Sequence, residues 1–403
     1  MHPPSSTPEP RLPLSGLLAL AAAGFLTLLN EALPAGLLPQ IAAGLGVSQA
    51  LVGQLVTAYA IGSLLAAIPL VVATRRWRRR PLLLAAIAGF MVVNSVVALS
   101  PHYGLTLVAR FLAGVFAGLV WSLLAGYAAR MVAPGQGGRA IAVAMLGIPL
   151  ALSLGIPAGT WLGAALGWRF AFWGISLIAL LLLAWVRWQV PDFAGQEAGQ
   201  RHSLRQVAAL PGLRPVLLVM LAAVLSHNIL YTYIAPILAR SGLATQVERV
   251  LLVFGLASVA GLWIAGALID QRLRALALLS TAAFALATLA LAAFGAQPGA
   301  VWLGVALWGL SFGGAPTLYQ TAAAQTAGEA ADTAQSMLVT AWNIGIAGGG
   351  LAGGALLDAR GAQVLPWVAL LLLLAALLLA FRACAHGFPP TARQRARALA
   401  AAG

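Results

Sequence analysis

The sequence predicts an all-α membrane protein with twelve transmembrane helices in two six-helix halves. Three observations carry this: mean hydropathy is +0.94, hydrophobic residues make up 61% of the chain, and charged residues only 8%. A soluble domain carries about 25% charged residues, so a chain this poor in charge has lipid as its main solvent. Each helical crossing takes ~20 mostly apolar residues and twelve take ~240, which fits within 403 residues.

The first six apolar runs lie at 14–38, 49–73, 81–99, 104–127, 139–161 and 168–187. The other six lie at 215–239, 248–269, 274–294, 300–323, 333–357 and 364–384. Backbone in lipid must satisfy its own hydrogen bonds, which leaves helices or a closed barrel. Barrel strands alternate apolar and polar residues over ~10 positions; these runs are longer and do not alternate. The first run continues past a signal-peptide core and contains Asn30 and Glu31, so it is expected to be retained as a span.

Arginine sets the expected orientation, since all 23 basic residues are Arg. With the N-terminus inside, 18 arginines fall in cytoplasmic connections or tails, and Arg169, Arg240, Arg249 and Arg360 fall outside. Arg110 lies within a span. This bias predicts cytoplasmic termini and an even number of spans. The same interspersion excludes a nucleic-acid-binding domain despite a net charge of +14. A single cysteine, Cys384, excludes an internal disulfide and disfavours a cysteine metal site.

The polar stretch 189–213 divides the chain. A tail at 1–13 precedes a six-helix half at 14–188; a second half at 214–384 follows the linker, and 385–403 form a second tail. Parallel halves of this kind place binding sites at their interface near mid-membrane. A faint echo supports duplication: Gly155, Gly159 and Gly163 in the fifth run resemble Gly349, Gly350, Gly353 and Gly354 in the eleventh. Glycine permits close helix approach, and Pro149 and Pro157 remove backbone donors and allow bending. Gly155, Pro157 and Gly159 therefore mark an expected flexing point.

Few residues inside the spans can titrate or bind polar groups. A charge at mid-span costs about 2.5–3.5 kcal/mol on insertion scales and faces a partner or cavity. Glu31 is the sharpest case, as a proton-carrying carboxyl or as half of a structural ion pair. Arg110 enters its span about two turns from the outer end, ~9–10 Å, a depth that matches Glu31. It is either Glu31's partner or an arginine reaching toward headgroups. His227, Asn228 and Tyr231, followed by Thr232 and Tyr233, offer hydrogen bonds to a polar substrate or between helices. Gln320, Asn343 and Trp121 are further binding candidates, with Gln325 and Trp342 beside them. No Lys exists in the chain, which excludes a P-loop and ATP hydrolysis by that route.

Several stretches resemble the major facilitator superfamily, in particular its twelve-span drug/proton antiporters, a group that includes bacterial sugar and nucleoside effluxers. The segment Asn30-Glu31-Ala-Leu-Pro34-Ala-Gly36-Leu-Leu-Pro39-Gln-Ile is similar to that group's first span. Arg110-Phe-Leu-Ala-Gly114-Val-Phe-Ala-Gly118 resembles its fourth-span motif, whose arginine is tied to proton coupling. Gly155-Ile-Pro157-Ala-Gly159-Thr-Trp-Leu-Gly163, then Gly167-Trp168-Arg169, resembles the fifth-span antiporter motif, and Tyr231-Thr232-Tyr233-Ile-Ala-Pro236 the seventh span. One departure stands out. The loop after the second span, Arg75-Arg-Trp-Arg-Arg-Arg80, lacks the Asp and Gly of the family's loop motif, whereas the second half keeps Gly266-x-x-x-Asp270. Arg76, Arg80 and Asp270 are thus the expected gate residues, with first-half gating altered.

The resemblance implies a secondary active transporter, not an enzyme, that uses no cofactor and no metal. Its partners are expected to be a small organic substrate (sugar-, nucleoside- or drug-like), protons and the bilayer of a bacterial inner membrane, with the chain a monomer. Proton-coupled efflux by alternating access is the leading expectation. An importer of the same fold is the alternative. An intramembrane enzyme is remote, because only Glu31, Arg110 and His227 lie away from span ends.

Overall fold

The computed structural model describes residues 12–67, 69–74, 76–133, 136–195, 206–207, 209–383 and 387–388, without the side chains of 67, 71, 72, 138, 270, 329, 331 and 332. Most of both tails, Cys384, Arg75, residues 196–205 and 208 of the linker and the Asp270 side chain lie outside the described residues.

The first half contains α1 (Leu14–Gly36), α2 (Gln49–Ala67), α3 (Arg79–Leu99), α4 (Tyr103–Arg130), α5 (Arg139–Leu166) and α6 (Trp168–Gln189). The second contains α7 (Leu213–Thr232), α8 (Ala244–Ile269), α9 (Gln271–Phe294), α10 (Pro298–Ala327), α11 (Ala331–Arg360) and α12 (Leu365–Arg382). Among the described residues, eleven helices are long and apolar enough to cross a membrane. The twelfth, α11, has the length at 30 residues; glycines, Trp342 and Asn343 dilute its apolar character. Helices α8 and α9 run on from one another, joined by a kink at Arg272.

Within the first half α2 packs on α4, α3 on α4 and α6, and α1 on α5 and α6. In the second, the α8–α9 hairpin packs on α10, α7 on α11 and α12, and α9 on α12. The glycine echo has a structural meaning. In α5, Gly155 and Gly159 receive Phe25 and Leu33 of α1, and Gly163 receives Leu37 just past its end. In α11, Gly345 and Gly349 receive Val224 and Asn228 of α7, and Gly353 receives Tyr233 just past its end. The fifth helix of each half thus lies against the first helix of that half through a glycine stripe.

Helix α5 is irregular where bending is expected. A π-helical turn at Ala151–Gly155 separates the short piece Gly147–Leu150 from Ile156–Leu166. Pro157 cannot donate to the carbonyl of Ser153, so one regular helical bond is missing beside the wide turn.

The halves meet through α2 with α11 and through α5 with α8. Close approaches concentrate at the end of the bundle away from the chain termini, here called the distal end. There Gly350 backs onto Thr57, and Gly354 onto Gln54 and Tyr233. Tyr233 Oη donates to the Gly350 carbonyl at 2.7 Å, and Gln54 Nε2 donates to the same oxygen at 3.2 Å. Along the α11 stripe facing α2, Gly350, Ile346 and Asn343 are buried, whereas Val339 and Ser336 are exposed. The halves therefore part toward the proximal end. Gly350→Leu has no room against Thr57 and is expected to open the distal seal. A cysteine placed at Gln54 in a Cys384→Ser background should then label faster with a water-soluble maleimide than in the Gly350 parent.

Candidate functional site

Pro34 organises the first part of the site. Lacking an N–H, it leaves the carbonyl of Asn30, four residues earlier, without its helical donor. Arg110 of α4 fills that vacancy: its Nη1 donates to Asn30 O and Asn30 Oδ1, both at 2.7 Å. Nη2 donates to the Glu31 carbonyl at 3.3 Å and Nε to the Leu55 carbonyl of α2 at 3.4 Å. The guanidinium also lies over the Tyr59 ring, 4.7 Å from its centroid. Arg110 and Asn30 are 0% exposed. A buried cation surrounded by carbonyls and a π face is held by hydrogen bonds and quadrupole attraction in place of water. It ties α1, α2 and α4 together.

Arg110 and Glu31 are therefore neighbours, as their matching depths suggested, but they meet through the Glu31 backbone and not as an ion pair. Among the described residues the one ion pair is Arg78–Asp192. The Glu31 carboxylate is half-buried, within electrostatic reach of Arg110 and of Tyr59 and Tyr231. Tyr231 belongs to α7, so the carboxylate faces the seam between halves, where α1 and α7 touch.

Across that seam lies an aromatic cage. The His227 ring stacks on Phe312 of α10 at 3.8 Å and on Tyr231 at 5.1 Å, with Trp308 at 5.3 Å and Phe254 of α8 at 5.7 Å. Phe284 of α9 and Trp342 of α11 extend it. Inside this apolar shell His227 Nδ1 and Trp308 Nε1 have no hydrogen-bond partner from the protein. Buried polar atoms are normally paired, so these two are unspent hydrogen-bonding groups within the cage. Only His227, Tyr231 and Trp342 of this cage stand out in the sequence. The others are apolar residues on three different spans.

The remaining candidates disperse. Asn228 turns to α11, donating to its own Val224 carbonyl at 2.9 Å and packing on Gly349. Asn343 is 8% exposed and bonds to Val339 O. Trp121 approaches Gly24 of α1. Gln320 is exposed near the proximal end, its carbonyl accepting from Gln335.

The arginine loop after α2 has a carboxylate after all, supplied from elsewhere in the chain. Asp192, just past α6, accepts from Arg78 Nε at 2.7 Å and from the Arg80 backbone N–H at 3.1 Å. Its neighbours continue the strap: Phe193 O accepts from Arg79 N, Pro191 O from Tyr127 Oη, and Ala194 O from Arg130 Nη1. Arg80 Nη1 reaches Val190 O at 3.5 Å, and Arg76 is exposed. Residues 190–194 thus bind the proximal ends of α3 and α4. Asp192→Asn is expected to cost about 1–2 kcal/mol, since the bond from the Arg80 backbone N–H loses its charge assistance together with a partly exposed ion pair. The check is a lower unfolding midpoint in detergent without a change of oligomeric state.

The family model described as Major Facilitator Superfamily matches residues 20–349. The chain belongs to the major facilitator superfamily. Similar proteins align over most of the chain. A protein of Pseudomonas aeruginosa named transcription regulatory protein OpdE is 32% identical, over 93% of this chain and 95% of that one. A probable sugar efflux transporter of Mannheimia succiniciproducens is 28% identical, covering 87% and 89%. A chloramphenicol efflux pump of Mycobacterium tuberculosis is 31% identical, covering 87% of each. The crystal structure of a bacterial homologue of the human lysosomal transporter Spinster, inward-facing and unoccupied, aligns at TM-score 0.69 with 16% identity, covering 94% and 98%; it shares the fold. This superfamily member is thus a multi-pass membrane transporter of small molecules with efflux-type relatives, and not an enzyme.

Proposed function

We propose that this transporter exports a small organic solute in exchange for protons, by alternating access between its two halves. The observation that carries the reading is the Glu31 carboxylate. It stands at the seam beside an arginine fixed on α1 and looks across to Tyr231 of the other half. A proton on Glu31 removes a charge next to Arg110 and at the edge of the aromatic cage, which couples protonation to the surface the halves share. The cage suits an amphipathic cargo: ring faces take its apolar part, and His227 Nδ1 and Trp308 Nε1 take its polar groups. The names of the sugar and chloramphenicol effluxers support the outward direction. The arginine bias supports termini in the cytoplasm of a bacterial inner membrane, and the chain is taken to act as a monomer.

The test uses right-side-out proteoliposomes loaded with labelled chloramphenicol or a labelled monosaccharide. Acidifying the outside should speed loss of label, and collapsing the gradient with an ionophore should remove the acceleration. Gain of label from outside under the same gradient would instead identify an importer. His227→Phe keeps the stacking on Phe312 and deletes the Nδ1 contact. It should weaken half-saturation for the cargo about tenfold, the worth of one hydrogen bond in a buried site, with little change in maximal rate.

A further inference from the structure

The distal seal between the halves holds a polar device that neither the Glu31 seam nor the aromatic cage uses. Gln54 of α2 belongs to the first half; Gly350 of α11 and Tyr233, at the end of α7, belong to the second. The Gln54 amide reaches across: Nε2 donates to the Gly350 carbonyl at 3.2 Å and toward Tyr233 Oη at 3.4 Å. Its third acceptor, the Ala50 carbonyl at 3.2 Å, is on its own helix and steadies the amide. On the far side Tyr233 Oη donates to the same Gly350 carbonyl at 2.7 Å, so the two acceptors across the seam are joined to each other. The Tyr233 hydroxyl lies against Gly53 of α2 and Gly354 of α11, and Gly354 also backs onto Gln54 Nε2. A side chain at either glycine would push the phenol or the amide away.

Two other oxygens in the seal work against closure. Gln54 Oε1 and Thr57 Oγ1 are buried and have no hydrogen-bond partner from the protein. Thr57 is itself buried and stands against Gly350. A buried polar atom left unpaired is destabilising, and water relieves that cost when the seal opens. The closed seal thus combines bonds made only while the halves touch with oxygens satisfied only once they part. Contacts present in one state alone set the population of that state. With the two effects opposed, the seal is poised and not locked.

We infer that Gln54 is a latch across the distal ends of the two halves, with the Tyr233–Gly350 pair as its keeper, and that it sets the ratio of distal-closed to distal-open carriers. The inference rests on the alternating-access reading above. It differs from the effect of Gly350→Leu, which opens the seal by bulk, because the latch acts through hydrogen bonds alone.

The experiment measures both ends of the full-length protein in detergent by double electron–electron resonance, in a Cys384→Ser background. Spin labels at Leu51→Cys and Asp358→Cys report the distal separation, and labels at Leu65→Cys and Ser336→Cys the proximal one; all four positions are exposed. Gln54→Ala and Tyr233→Phe should each raise the distal open-to-closed ratio about threefold, and at most about tenfold, the range of a hydrogen bond within a membrane protein. The proximal ratio should fall by a similar factor. Thr57→Val, which deletes an unpaired hydroxyl at nearly constant volume, should move both ratios the other way. The double variant Gln54→Ala/Tyr233→Phe should exceed Gln54→Ala little, since a keeper without its latch contributes nothing across the seam. Both ends loosening together, or a lower unfolding midpoint with unchanged ratios, would reduce Gln54 to a packing role and overturn the inference. Should Gln54→Ala fail to fold, Tyr233→Phe, which keeps the ring, decides alone. Gly350→Leu distinguishes this failure from that of the underlying reading. If it moves the two ends in opposite senses while the Gln54 and Tyr233 variants move neither, the latch falls and alternating access stands. If it too leaves the ends uncoupled, alternating access falls and the latch with it.

Discussion

Glu31→Gln is expected to abolish proton-driven accumulation while leaving the carrier able to exchange cargo. One proton moved down one pH unit supplies 1.36 kcal/mol, which sustains about a tenfold concentration ratio of a neutral solute exchanged one for one. Gln occupies the volume of a protonated Glu and cannot release a proton. If Glu31 is the coupling group, the tenfold ratio should fall to about onefold in the variant. Counterflow, in which unlabelled cargo on one side drives labelled cargo from the other, needs no net proton movement and should persist. The two assays separate loss of coupling from loss of folding or of cargo binding. A variant that still builds a gradient-dependent ratio would remove Glu31 from the coupling step and leave its neighbour Arg110 with a structural role only.

Physical chemistry explains which parts of this arrangement are visible from the sequence. The spans follow from long apolar runs, because lipid allows little else. Even the weakest of these helices, α11, is legible despite glycines and Asn343 that lower its hydropathy. Break points are visible through proline: Pro157 flags the irregular turn of α5, and Pro236, which cannot donate to the Thr232 carbonyl, flags Tyr233, where α7 gives way to the separate helix Ile234–Ala239. The depths of Glu31 and Arg110 are readable from helix rise, but the way they meet is not. That depends on lateral packing of α1 against α4 and on Pro34 freeing one particular carbonyl. The aromatic cage is legible only at His227 and Tyr231 and, more faintly, at Trp342. Phe254, Phe284, Trp308 and Phe312 look like ordinary lipid-facing or core residues until three spans bring them together. The Asp192 strap is hidden for a related reason. The loop after α2 holds no carboxylate of its own, and the one that serves it lies more than a hundred residues further on.

Arg110 carries the largest structural load for one side chain, and Arg110→Ala should show it. Removing the guanidinium strands the Asn30 carbonyl, which Pro34 cannot serve, and the Asn30 side-chain oxygen. The Glu31 and Leu55 carbonyls lose an additional donor but keep their places in regular helix. Two fully buried acceptors without partners cost about 1–3 kcal/mol each, and the space left beside Tyr59 adds a cavity term. A total loss of about 3–6 kcal/mol is comparable to the whole stability of many domains, so little folded protein should be recovered at 37 °C. Arg110→Lys is the informative companion. Lysine keeps the charge near Glu31 but presents a compact ammonium instead of a planar fork, so it can serve the Asn30 oxygens or the Leu55 side but not both. It should fold with a lowered midpoint and transport with an altered dependence on external pH. An Arg110→Ala protein that unfolds at the wild-type temperature would show that the Asn30 carbonyl finds another donor, and that the α1–α4 junction rests on packing alone.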